Sequence, residues 1–566
     1  MNLVKATGTI GGLTMVSRIA GFAREMLMSR IMGASWQADA FFVAFRLPNT
    51  FRRLFGEGAF SAGFVPLYAQ RLQGENGDVE AKNFSEEVLA VFVPTLILFT
   101  LVFEIIMGPF VFLISGYQGE KLTLATFLTQ VTFPYLLLIS LVSLFSGILN
   151  SLARFTAAAF APALLNLSML TALIFVPVGG TTTALALSVA VTAGGVLQLG
   201  LLMAACKRAG IVLKLRRPRM TPGVRQFVRV VVPATLGAGV YQISAFIDTF
   251  FLARLGTGSL SYFNYADRLN QLPLGVIGAA VGTAILPQVS RYVGAGDAKA
   301  AADVQGRAAE LAMLLCIPAA LALSVAAGPL ISALFQGGEF TPKDAEITAL
   351  TLSIIVMGLP AYVLVKVLTP GFYSRQDTAT PVKTAAVTLI ANIALNFILI
   401  PPFGIGGLAA AIAICSWLNC LMLYVILHRR GYFRIEGWLA SRIARQVLAG
   451  GAMAATLWAV GAALPGFFSG GVGHRLVGVG ALVGSGLAVY FPMVWLIGGM
   501  DKDDINALLR RRGKKGSDSV CARCASSPAF SRPAIFTSAI CLAPSSAGSG
   551  CRTKLNACSS SPTSTH

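Results

Sequence analysis

Apolar runs of about 20 residues, separated by short polar connections, recur along nearly the whole of this chain. With a helical rise of about 1.5 Å per residue, each run can cross a hydrocarbon core of about 30 Å. The runs fall near 3–32, 38–68, 88–114, 124–149, 157–176, 183–205, 228–252, 260–292, 308–335, 349–372, 382–400, 406–427, 443–464 and 476–497. They predict an all-α polytopic membrane protein of about 14 transmembrane helices. From 513 onward the text is rich in Ser, Ala, Cys and Pro and has no helical period. That tail reads as disordered, or as out-of-frame coding, since its composition matches nothing upstream.

Composition agrees with the pattern. Of 566 residues, 55 % are apolar and 12 % charged, against about 25 % charged in soluble domains. The first apolar run is interrupted by Arg18 and Arg24 and lacks a convincing cleavage site, so it reads as a retained helix and not as a signal peptide. The formal charge of +20 resides largely in alternate connections. "NSLARFT" and "YSRQDTATPVK" are basic, whereas "VPVGGTTT" and "PPFGIGG" hold no Lys or Arg. The connection with Lys207, Arg208, Lys214, Arg216, Arg217 and Arg219 is the most basic, and the positive-inside rule puts it in the cytoplasm. Counting helices outward from it places both termini there too. No basic-aromatic motif points to nucleic acid.

The chain also repeats itself. "RLPNTFRRLFGEGAFSAGFVP" at 46–66 has a counterpart in "RLNQLPLGVIGAAVGTAILP" at 268–287. Two six-helix halves are expected, and because six is even they form parallel repeats about the membrane normal, an arrangement typical of alternating-access transporters. The expected organisation is a first lobe at 1–206, a basic cytoplasmic linker at 207–222, a second lobe at 223–430, an added helix pair at 431–512 and the tail at 513–566.

Catalytic chemistry has little support. Cys521 and Cys524 form one CxxC without a second pair, and His428, His474 and His566 are scattered, so no metal or cofactor is expected. No phosphate-binding GxxxxGK[ST] occurs. What needs explaining is charge within apolar helices: Arg18, Arg24 and Glu25 in the first, then Asp39, Arg46, Arg52, Arg53 and Glu57, then Asp248, Arg254, Asp267 and Arg268. One ionised group at the bilayer centre costs about 3 kcal/mol or more. Mutual pairing accounts for some of these, as Arg53 and Glu57 are four residues apart. Unbalanced arginines instead require a hydrated cavity or an anionic ligand.

The stretches "MVSRIAGFARE", "RLPNTFRRLFGEGAFSAGFVP" and "YFNYADRLNQLPLGVIGAAVGTAILPQVSRY" resemble the MurJ/MviN family of proposed lipid II flippases, over approximately 1–512. The resemblance implies a MATE-like fold of two six-helix lobes around a cationic cavity, with the last two helices forming a lipid-facing groove. It implies Arg18, Arg24, Arg52, Arg53, Arg254 and Arg268 as substrate-binding residues, and Glu25, Asp39, Glu57 and Asp267 as gating or charge partners. Where some members carry an acid three residues after the arginine of "ADRL", this chain has Gln271. The implied partners are lipid II, an undecaprenyl-pyrophosphate glycan, together with membrane lipids and cell-wall synthesis proteins, at the bacterial inner membrane. A flippase for another polyprenyl-pyrophosphate glycan, a cation-coupled drug exporter of the same fold and a non-transporting scaffold for cell-wall enzymes are the competing readings.

Overall fold

A computed structural model describes residues 3–52, 60–74, 76–463 and 470–500. Among them helix is the only regular secondary structure, besides one isolated bridge between Gly337 and Phe340. The helices are α1 (Leu3–Met32), α2 (Trp36–Arg52), α3 (Phe60–Leu72), α4 (Gly77–Ser115), α5 (Gly119–Thr132), α6 (Tyr135–Ser151), α7 (Thr156–Phe175), α8 (Gly180–Arg208) and α9 (Pro222–Arg254). They continue as α10 (Ser259–Gly294), α11 (Ala298–Val325), α12 (Ala327–Leu334), α13 (Pro342–Ile355), α14 (Leu359–Tyr373), α15 (Ala379–Arg429), α16 (Gly437–Ala463) and α17 (Val472–Leu496).

Local chemistry sets many of these boundaries. Thr221 caps α9 by accepting from Val224 N–H, with Pro222 at the first helical position. A reciprocal capping box between Thr341 and Asp344 opens α13, again with proline next. Gly116 ends α4 in the left-handed region, where a residue without Cβ meets no steric penalty. The spans expected at 382–400 and 406–427 are two helices that follow one another directly within α15, separated where Gly404 (φ 55°, ψ −130°) leaves helical geometry after Pro401 and Pro402. Conversely, the apolar runs at 124–149, 308–335 and 349–372 are each divided, at Phe133–Pro134, at Ala326 and at a 3-10 turn over Val356–Gly358. Nine helical segments among the described residues are long and apolar enough to cross a bilayer. The charged α1 is not one of them.

Helices α1, α2, α3, α4, α5, α6, α7 and α8 pack mainly on one another, and α10, α11, α13, α14 and α15 do likewise; α16 lies against α11 and α17. Between the two groups, α9 touches α3 and α4 on one side and α15 on the other. Rings from α3, α4 and α9 join there, with Phe60, Phe64 and Phe227 meeting edge-on or stacked at 5.3–6.3 Å. Aromatic contacts of this kind add about 0.5–1.5 kcal/mol beyond the area they bury.

One end of the bundle is knit across the groups by backbone. Glu339 N–H donates to Arg30 O (2.9 Å), and Ser29 Oγ donates to Phe335 O (3.2 Å). Gly33 (φ 60°) and Gly338 (φ 57°) make this approach possible: a Cβ on either would stand within 2.5 Å of the opposite backbone. At the other end the 209–221 connection is strapped to α4, where Glu86 accepts from Lys214 N–H (3.1 Å) and from Arg216 Nη2 (2.6 Å).

Candidate functional site

Between the two ends, α1, α7 and α10 bring three arginines together. Arg24 is buried, and its guanidinium donates to Asn166 Oδ1 on α7 (3.0 Å) and to Glu25, while lying over the Phe45 ring at 5.7 Å. Asn166 also donates to Ser17 O (3.0 Å), so one amide holds the arginine and the backbone two turns before it. Arg268 enters from α10. A Cβ on Gly21 would stand 2.5 Å from its Nη2, so the missing side chain on α1 is the space its guanidinium occupies. Arg18 does the reverse, with Nη1 lying 2.9 Å from where a Cβ on Gly275 of α10 would be.

Helical periodicity explains this crossed arrangement. Arg268 and Gly275 are seven residues apart and share a face of α10; Arg18, Gly21 and Glu25 share one of α1. Each helix therefore offers an arginine and a gap to the other. Glu25, Arg24, Asp267 and Arg18 all lie within electrostatic reach of Arg268. Arg24 Nε, Glu25 Oε2 and Arg268 Nε are buried without a hydrogen-bond partner. The two unmet arginine N–H groups are donors that an oxyanion would satisfy, whereas the Glu25 oxygen is an acceptor.

Asp39 and Arg254 lie apart from this group. Asp39, fully buried on α2, accepts from Gly258 N–H (2.7 Å), Ser261 N–H (3.1 Å) and Ser261 Oγ (2.8 Å), with Lys121 Nζ at 3.5 Å. It thus caps α10 across the groups at the knit end. Arg254 is exposed at the same end, stacked on Phe250 at 3.5 Å and tucked beneath Gly116. Arg52, in the last turn of α2, donates to Asn49 Oδ1 (3.0 Å). Asp267 accepts from Asn270 (3.3 Å) and Gln271. Arg53 and Glu57 lie outside the described residues. Asn166 and Gly275 belong to the arginine group without having been singled out, because neither residue type is unusual in a helix.

Two further cavities matter. One of about 570 Å³ lies within the second group, between α9, α10, α14 and α15, and is lined by Asp248, Tyr362, Lys366, Asn392 and Asn419. Asp248 Oδ1 and Asn419 Oδ1 are buried there without partners. The other, of about 370 Å³, is almost wholly apolar and runs between α11, α16 and α17 past Leu323, Met453, Leu482 and Tyr490. No group of three His, Cys, Asp or Glu suited to a metal ion occurs among the described residues.

Outside the spans, the α14–α15 turn is held by Asp377, which accepts from Thr380 Oγ1 (2.6 Å), Thr380 N–H (2.9 Å) and Arg430 Nη1 (2.5 Å). Those Thr380 bonds, with Arg430 beside them, hold the Asp377 carboxyl down at about 2 against an ordinary 3.8.

Apolar helices around a cluster of charged side chains define a multi-pass membrane protein, and its fold is shared with solved transporters. A lipid II flippase MurJ in an inward closed conformation superposes with a TM-score of 0.72 at 24 % identity, covering 89 % of this chain and 99 % of that one. An inward-facing multidrug resistance MATE family transporter of the MOP superfamily gives 0.59 at 15 % identity over 75 % of this chain and 97 % of that one. The family described as Lipid II flippase MurJ matches residues 28–472. A probable lipid II flippase MurJ from Rhizobium tropici is 42 % identical over 526 residues, 90 % of this chain and 97 % of its own length. The chain belongs to the MurJ family.

Proposed function

We propose that this protein flips lipid II from the cytoplasmic to the periplasmic leaflet by alternating access. The observation that carries the reading is the meeting of Arg18, Arg24 and Arg268 around Gly21 and Gly275, with Glu25 and Asp267 as the acids within reach. Lipid II presents a pyrophosphate between a polyprenyl tail and a glycan. Arginine forks bind phosphate oxygens bidentately and stay charged at any physiological pH. Cation and anion each relieve the other's desolvation, so the clustered arginines and the cargo are complementary. The apolar cavity along α16 and α17 fits the polyprenyl chain. The family membership and the relatives' names support the same substrate.

In this reading α1 to α8 and α9 to α15 act as two lobes, both termini are cytoplasmic, and the basic 209–221 connection lies on the inside. The knit end then faces the periplasm, and the conformation is one that receives substrate from the cytoplasm. With the cytoplasm negative, outward movement of an anion is downhill by about 2.3 kcal/mol per charge per 100 mV, so membrane potential is a sufficient drive without a nucleotide.

The test is flipping of defined lipids in proteoliposomes. Arg18→Ala, Arg24→Ala and Arg268→Ala should each lower lipid II flipping at least tenfold while membrane abundance stays near normal, and Lys should rescue only in part. If all three Ala variants flip normally, the cationic-cavity mechanism is wrong; if abundance collapses with activity, the arginines serve packing.

A further inference from the structure

At the basic end of the first helix group, α1, α6, α7 and α8 surround a cavity of about 540 Å³ that the flipping mechanism does not use. Its walls are apolar, with Leu13 from α1, Leu149 from α6, Phe160 from α7 and Leu201 from α8. Two guanidinium groups line it as well: Arg154 in the α6–α7 turn and Arg208 in the last turn of α8. Both are exposed, and neither forms an ion pair with a carboxylate among the described residues.

The placement of Arg154 is fixed by its turn. Ala153 takes a left-handed conformation (φ 56°), and Arg154 N–H donates to Leu149 O at 2.8 Å. A non-glycine residue in that region is uncommon and costs about 1 kcal/mol, so the surrounding turn enforces it. Directly after it α7 begins with no side-chain cap, leaving first-turn amides of Thr156 and Ala157 beside the cavity.

We propose that this cavity binds an anionic glycerophospholipid of the surrounding leaflet, its phosphate held between Arg154 and Arg208 and one acyl chain lying along Leu13, Leu149, Phe160 and Leu201. A free phosphate would leave those apolar walls in water. An uncharged or zwitterionic lipid would leave two cations without a net counter-charge. The arginines and the apolar walls together select a molecule with one acidic head and one greasy tail, and a lipid leaflet supplies it at high local concentration.

The experiment is native mass spectrometry on the delipidated full chain, titrated with phosphatidylglycerol or with phosphatidylcholine of the same acyl chains. Wild type should retain phosphatidylglycerol preferentially. The double variant R154A/R208A should bind it about thirtyfold more weakly, from the loss of two surface cations, with phosphatidylcholine binding unchanged. R154K/R208K should keep most of the preference. Because both side chains are exposed, the melting temperature without lipid should match wild type, and phosphatidylglycerol should raise it more in wild type than in R154A/R208A. A separate F160W variant should show tryptophan quenching by brominated phosphatidylglycerol that exceeds that by its phosphatidylcholine analogue. Equal phosphatidylglycerol binding by wild type and R154A/R208A overturns the site. Displacement of the lipid by inorganic phosphate at tenfold excess overturns the lipid as its occupant.

Discussion

At the scale of single residues, Gly21 makes the sharpest case. Its Cα faces the Arg268 guanidinium with no room for a methyl group, so Gly21→Ala pushes the tip of a flexible side chain aside while leaving the helix intact. Flipping should fall about five- to tenfold, the effect of weakening one ionic contact by about 1 to 1.4 kcal/mol, with abundance unchanged. Gly21→Val should do more. Unchanged flipping in both would show that Arg268 has no exact position to keep. Of this group, Arg18, Arg24 and Arg268 are legible in the sequence because charge inside an apolar run has few explanations. Asn166 and Gly275 are not, since an asparagine and a glycine acquire their roles only when α7 and α10 come to lie against α1. Arg254 shows the limit of that reading. Periodicity assigns a residue to a face of its helix, but the neighbour that face meets depends on packing, and for Arg254 that neighbour is the Gly116 turn.

Among elements, α10 depends on a cap from another helix. Asp39 satisfies two amides and a hydroxyl at its start, and a buried donor left unmet costs about 1–3 kcal/mol. Asp39→Ala should therefore destabilise the protein by about 3 kcal/mol and Asp39→Asn by roughly half that, read as melting temperature in detergent. The α14–α15 turn has a pH dependence of known sign. Because folding depresses the Asp377 carboxyl from 3.8 to about 2, its contribution is complete above pH 4 and fades as pH falls toward 2. Asp377→Asn should remove that acid-sensitive part of the melting curve and leave the rest. The break between the two helices of α15 is readable from "PPFG", where two prolines and a glycine oppose a continuous helix. The breaks inside the runs at 124–149 and 308–335 are not, because hydropathy registers apolar character and is blind to a change of axis.

The whole molecule is two helix groups joined most firmly at one end, and transport by alternating access requires that end to part. Ala34 O lies 2.9 Å from where a Cβ on Gly258 would stand. In a background with native cysteines replaced, a short bismaleimide should link Ala34→Cys to Thr257→Cys and stop flipping, whereas either single variant should remain active. Continued flipping after full crosslinking would mean that the end never opens. The hydropathy pattern and the repeat made the membrane-spanning architecture legible, but which end closes depends on backbone approaches at Gly33 and Gly338 that no local pattern encodes. The bonds that close it also carry a built-in clock. The amides of Gly258, Ser261 and Glu339 are donors only while the groups meet there, so each is shielded from solvent deuterium in the closed form and exchanges on opening. Their exchange rates therefore count how often the knit end opens, and a substrate that drives the cycle should quicken all three together while amides deep in α7 keep their slow rates.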